Sequence, residues 1–188
     1  FYHITDKDTL GKMAEACLGQ NAAKTAQQIV VVVSRKDLWR KRAKANLAFL
    51  DASYGTEKHG DKHAKRKKMA STYYGKIIPT VYSDFLGILG LIKYLVFQII
   101  GVFRPIYRQT RLSDMRIVAH KSAGLAAQNF MISMAAIDYD TCPMEGSDTL
   151  RVKRILNLPR GAEINMVIGC GIRDDKGIYG QRFRVPFD

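Results

Sequence analysis

Cys142-Pro143-Met144-Glu145-Gly146-Ser147-Asp148 gathers a proline, a glycine and a helix-capping pair within a few positions. A strand that stops at Pro-x-Glu-Gly exposes main-chain N–H groups just ahead of a helix opening near Ser147, and Gly146 permits a close approach to that backbone. Downstream, Arg182 and Arg184 are one residue apart. On a strand they share a face, and two guanidinium groups so placed can hold a phosphate through charge-assisted bonds. Each feature also has a plainer reading. Glu145 to Asp148 taken alone is a helix N-cap, and the arginines taken alone are a solvated strand face.

The elements that must position these residues are legible from periodicity. Thr5 or Asp6 caps a helix running to about Leu18, with Leu10, Met13, Ala14 and Cys17 on one face and Gly19 as its stop. Gln28 to Ser34 holds the run Ile29-Val30-Val31-Val32-Val33 and reads as a strand buried on both faces. Asp37 to Leu50 reads as a helix. A basic polar stretch from Gly55 to Lys68 follows, then a helical pattern from about Lys65 to Ile78 that Pro79 should end. Phe85 to Phe103 is the most apolar stretch, and Arg104-Pro105 closes it. Ser113 to Ala136 reads as a long helix rich in small residues, Asp138 to Cys142 as a short strand, Asp148 to Leu156 as a helix, and Leu158 to Gly161 as a turn. Ile164 to Ile172 reads as a second buried strand.

At 188 residues the chain suits one domain, and 47% hydrophobic residues suffice for a core. The net charge of +13 favours anionic partners: nucleic acid, an acidic membrane surface, or phosphorylated cofactors and substrates. Cys17, Cys142 and Cys170 are odd in number and scattered. They fit a reducing, cytoplasmic setting better than a disulfide framework. No P-loop or Gly-x-Ser-x-Gly elbow occurs. Gly169-Cys170-Gly171 lacks the third glycine and the helix of a dinucleotide fingerprint. His59 and His63, with Asp61 between them, lack a third ligand in a fixed pattern, so no metal site is expected.

Taken in order, the parts resemble the FMN-dependent nitroreductase family. The resemblance is carried by Ala119 to Met131, Ile137 to Asp140, Pro143-Met144-Glu145-Gly146, Leu158-Pro159, Met166 to Gly169, and Arg182-Phe183-Arg184-Val185-Pro186. It covers about 70 residues strongly and extends more weakly to the N-terminal part. There Phe1 to Ile4 looks like the family's first strand, and Asn21 with Lys24 resembles the Asn-x-x-Lys pair that holds the flavin pyrimidine ring.

The resemblance implies an α+β fold, with a central, mainly antiparallel sheet flanked by helices and an inserted helical excursion over about 53–110. It implies a homodimer with two FMN sites and ping-pong reduction of nitro compounds, quinones or related electron-poor acceptors by NADH or NADPH. The implied cofactor-binding residues are Asn21, Lys24, Pro143, Met144, Glu145, Gly146, Arg182 and Arg184. No side chain is needed as acid, base or nucleophile, because the flavin carries the chemistry.

Two family elements that would precede Phe1 are absent, an Arg-Arg-Ser-x-Arg element and a Ser-x-x-Asn-x-Gln-Pro segment, so about 40–50 residues are expected ahead of it. The competing expectation is a basic, non-enzymatic module for nucleic acid or an anionic membrane surface. The apolar run 85–103 is long enough to suggest a membrane span. Lys93 and Gln98 interrupt it, so the expectation is no span but helical cover over the dimer or the active site.

Overall fold

The structure, a computed structural model, describes residues 1–54, 60–181 and 183–187, with the backbone alone at 54 and 60–62. It has the α+β fold that the sequence implies, and it divides into two compact units.

The first unit comprises residues 1–33, 123–158 and 164–188. Its sheet runs β1 (Tyr2–Ile4), β2 (Gln28–Ser34), β4 (Glu163–Gly171), β3 (Asp140–Met144). β1 pairs antiparallel with β2, and β3 antiparallel with β4. The valine run of β2 is buried on both faces because both faces are covered. Ile29 and Val31 join Val167 and Met144 beneath α1 (Lys7–Ala16), α2 (Asn21–Thr25) and α8 (Thr149–Ile155), against Met13, Ala16, Ala23 and Val152. Val30, Val32, Ile168 and Cys170 face the second half of α7 (Leu112–Ala135), against Ala123, Ala127 and Phe130. Burial pushes the Cys170 thiol up, as expected of an unreactive core cysteine.

α1 starts where Asp6 accepts from the Thr9 amide at 2.9 Å. It ends at Ala16 with Cys17 as its C-cap, two residues earlier than expected, and the left-handed turn that closes it starts at Leu18 (φ +59°) and continues through Gly19 (φ +67°). β3 lies two residues later than the sequence suggests. Asp138 takes φ +62° in the turn that ends α7, so the strand opens only at Asp140. The strand therefore contains Pro143, opposite Ile168. A proline is tolerated there because β3 is an edge strand.

The second unit comprises residues 34–122 and 159–163. A 3-10 turn at Lys36–Leu38 leads into α3 (Trp39–Tyr54), which runs four residues past the expected end. α4 (Gly60–Thr72), a π-helical turn (Tyr73–Ile77) and α5 (Ile78–Tyr82) then form one continuous run. Pro79 does not end this run. The Ile78 amide donates five residues back to Tyr73, so proline arrives where the regular ladder is already interrupted. Of the His59, Asp61 and His63 group that the sequence left without a metal role, His59 and the Asp61 side chain lie outside the described residues.

α6 (Ile88–Phe103) is capped by Asp84, whose carboxylate accepts from the amides of Gly87 at 2.8 Å and Gly90 at 2.7 Å. Lys93 does not simply reach water. Its ammonium donates to the carbonyls of Thr80, Val81 and Ser83, the open end of α5.

Glu163 accepts from Arg116 and from His120 Nε2 at 3.0 Å, two residues one turn apart on α7. Burial raises the Glu163 carboxyl, but these donors outweigh it and hold the group below its ordinary 4.5. A depressed carboxyl contributes stability above its unfolded value and loses it as pH falls through the folded value. Stability should therefore fall in acid below about pH 4.5, and Glu163→Gln should flatten that limb while costing about 1–2 kcal/mol at pH 7. Chemical denaturation from pH 7 down to pH 3 checks both, and a Gln variant with an unchanged acid limb would refute the assignment.

Candidate functional site

Most of the residues singled out from sequence lie in the first unit around the end of β3. Pro143 and Met144 close that strand, and Glu145 and Gly146 leave it. Asn21 opens α2 and Lys24 is in its last turn. Gln20, immediately ahead of α2, binds the two pieces together. Its amide nitrogen donates to the Gly146 carbonyl at 2.6 Å and to the Cys17 carbonyl at 3.0 Å. Behind the loop, the Asp148 amide donates to the Ala16 carbonyl at 2.7 Å, and Asp148 itself caps α8 through the amides of Leu150 and Arg151. The capping reading of this segment is thus correct, and it coexists with an exposed Glu145–Gly146 backbone.

α2 is seated on β4 through Gly169. A Cβ at Gly169 would stand 3.3 Å from the Ala22 carbonyl oxygen and 3.4 Å from the Ala26 Cβ. Glycine lets the helix come this close to a central strand without displacing it, and any β-branched residue here would push it away. Gly19 has a related role: a Cβ there would stand 3.4 Å from Lys24 Nζ, so the lysine side chain folds back over the turn.

Not every expected residue faces the loop. The Met144 side chain is 2% exposed and packs in the core, leaving only its main chain to the site. Asn21 donates to the Tyr179 hydroxyl at 2.8 Å, which ties α2 to the C-terminal segment. Arg184 is exposed and donates to the neighbouring Phe183 carbonyl, and Arg182 lies outside the described residues. A separate cavity of about 300 Å³ in the second unit, lined by Lys36, Trp39, Arg40, Tyr82, Thr110 and Met115, contains none of these residues.

The profile of the nitroreductase family matches residues 1–172. This chain belongs to the nitroreductase family. It is 38% identical over 68 residues to a Bacillus subtilis protein provisionally named NAD(P)H nitroreductase MhqN, a match covering 36% of this chain and 33% of that one. The chain thus spans about a third of the length of the curated relatives it matches.

Among solved structures, that of a Bacillus subtilis protein provisionally named nitroreductase ydfN is similar with a TM-score of 0.66 at 23% identity, over 98% of this chain and 72% of that one. A relative from Exiguobacterium sibiricum, solved in complex with FMN, has a TM-score of 0.57 at 14% identity, over 97% and 71%. At these identities the structural matches establish the fold.

Sequence reasoning missed Gln20 and Gly169. Gln20 gave no signal, because its partner Gly146 is 126 residues away. Gly169 did give one: a glycine inside a buried strand marks a close backbone approach.

Proposed function

We propose that this member of the nitroreductase family is an FMN-dependent oxidoreductase that uses NADH or NADPH to reduce a small electron-poor acceptor, a nitro compound or a quinone. One observation carries the reading furthest. Gln20 holds the Asn21–Lys24 helix and the Pro143–Gly146 loop together, within the stretch that matches the family. FMN, when bound, supplies a ring that accepts and returns hydride, so reductant and acceptor use one site in turn.

The residues fit such a group. Glu145 and Gly146 offer main-chain N–H donors that do not titrate, and Gly146 has no Cβ to keep a flat ring away. A Cβ at Gly146 would meet only the Gln20 amide, at 3.6 Å, so the approach from other directions stays open. Pro143 is exposed and supplies an apolar wall beside them. Lys24 is exposed in the last turn of α2, and its charge, swung from Gly19 toward a bound ring, would favour the ring's electron-rich form. Asn21 would join it by releasing Tyr179. Arg182 and Arg184 would take the phosphate.

The proposal includes a homodimer. Within the chain, a Cβ added at Gly124 of α7 meets nothing within 4 Å, which supports an open small-residue face there for a second copy.

The test combines FMN titration of the purified protein, followed by flavin fluorescence, with oxidation of NADH and NADPH in the presence of a quinone or nitroaromatic. Saturable FMN binding and acceptor-dependent turnover are expected. A protein that neither binds FMN nor oxidises either nucleotide overturns the reading.

A further inference from the structure

α6 is polar and small on its inner face and apolar on its outer one. Gly90, Lys93, Tyr94, Gln98 and Gly101 recur at three- and four-residue spacing, so they share a side of the helix. Contacts within the second unit show that this side faces inward. Gly90 is buried against Asp84 and the Thr110 carbonyl. Lys93 holds the end of α5. Arg108 reaches the Gln98 side chain at 2.7 Å and the Gly101 carbonyl, and the Arg111 guanidinium lies 4.7 Å over the Tyr94 ring. On the opposite side Ile88, Leu91, Ile92, Leu95, Ile99 and Val102 are each more than half exposed. Phe85 and Leu86 extend the apolar surface before the helix, and Phe103 ends it at 84% exposed. A contiguous apolar stripe of this kind calls for cover.

Charge decides which cover. Residues 34–122 and 159–163 hold 20 of the 30 Lys and Arg and 7 of the 17 Asp and Glu. This unit therefore carries a net +13, equal to that of the entire chain, and the first unit sums to zero. A second copy docking on α6 would set this charge against an identical one. An anionic bilayer complements both features at once, with acyl chains for the stripe and headgroups for the unit's excess positive charge.

The geometry favours lying on the bilayer over crossing it. α6 has 16 residues, about 24 Å, against a hydrocarbon core of about 30 Å. No described helix is long and apolar enough to cross a membrane. Arg104 follows Phe103 directly and is exposed, where its charge can stay among headgroups.

We propose that the outward face of α6, with Phe85 and Leu86, seats the second unit in the interface of an anionic lipid bilayer. This attachment does not depend on the flavin chemistry. The test is flotation of the purified protein with phosphatidylcholine vesicles and with vesicles containing about 30% phosphatidylglycerol. Binding to the anionic vesicles should be at least about tenfold stronger, and should weaken on going from about 0.1 to 0.5 M salt. Ile92→Asp with Ile99→Asp should reduce it at least about tenfold while the circular dichroism spectrum stays unchanged. Arg104→Glu, which leaves the stripe intact, should reduce it less. If the double variant misfolds, the lipid and salt series on the unaltered protein, with Arg104→Glu, decides.

Equal binding to both vesicle types, or no binding to either, overturns the proposal. So does a double variant that floats as well as the parent but has lost a dimer in sedimentation, which would assign the face to a second copy.

Discussion

Replacing Gly169 with valine should destabilise the protein by about 2–3 kcal/mol and weaken FMN binding at least tenfold. The reason is the distance between β4 and α2. A single added Cβ already stands 3.3 Å from the Ala22 carbonyl oxygen and 3.4 Å from the Ala26 Cβ. Valine adds two more methyls where backbone and a short side chain, not a flexible tip, must give way. α2 would lift from the sheet, carrying Gln20, Asn21 and Lys24 away from the Pro143–Gly146 loop. Gly169→Ala requires a shift of only a few tenths of an ångström and should cost under about 1 kcal/mol. Gly171→Val is the control, because a Cβ there meets nothing within 4 Å and β-branched residues suit strands. Urea denaturation and flavin titration of the three variants measure both effects. A Gly169→Val protein as stable as Gly171→Val would show that α2 is not seated on β4 in this way.

The same contact illustrates what sequence could and could not reveal. β2 is found residue for residue at Gln28–Ser34, because five β-branched residues in a row allow little besides a strand buried on both faces. The α1 cap at Asp6 follows from side-chain chemistry acting over three residues, whereas its end comes at Ala16, ahead of the expected Gly19, because Leu18 already takes the left-handed turn. Features set by distant partners were not legible. Lys93 reads as a flaw in an apolar helix until the carbonyls at the end of α5 stand beside its ammonium. β3 starts late because Asp138 adopts a left-handed conformation that its neighbours do not announce. The order of motifs set Asn21, Lys24 and the Pro143–Gly146 segment in one expected site. It could not name Gln20 as the link, or Tyr179 as the partner of Asn21 158 residues away.

The phosphate reading of the C-terminal arginines gives the second large effect. Removing both guanidinium groups, by Arg182→Ala with Arg184→Ala, should weaken FMN by several kcal/mol, since charge-assisted bonds contribute about 1.5–3 kcal/mol each. Protein stability should change little, within about 0.5 kcal/mol, because the Arg184 side chain is exposed and reaches only to the carbonyl of its neighbour Phe183 among the described residues. Loss of affinity without loss of fold separates a binding role from a structural one. Riboflavin separates it further. It offers the same ring without the phosphate, so its affinity should be nearly indifferent to the substitutions. The FMN advantage over riboflavin should also shrink as salt rises in the parent protein and be absent in the variant. Titration of both flavins against both proteins supplies the four affinities. An equal loss for riboflavin and FMN would mean that the arginines support the fold or the ring, and would sink their assignment to the phosphate.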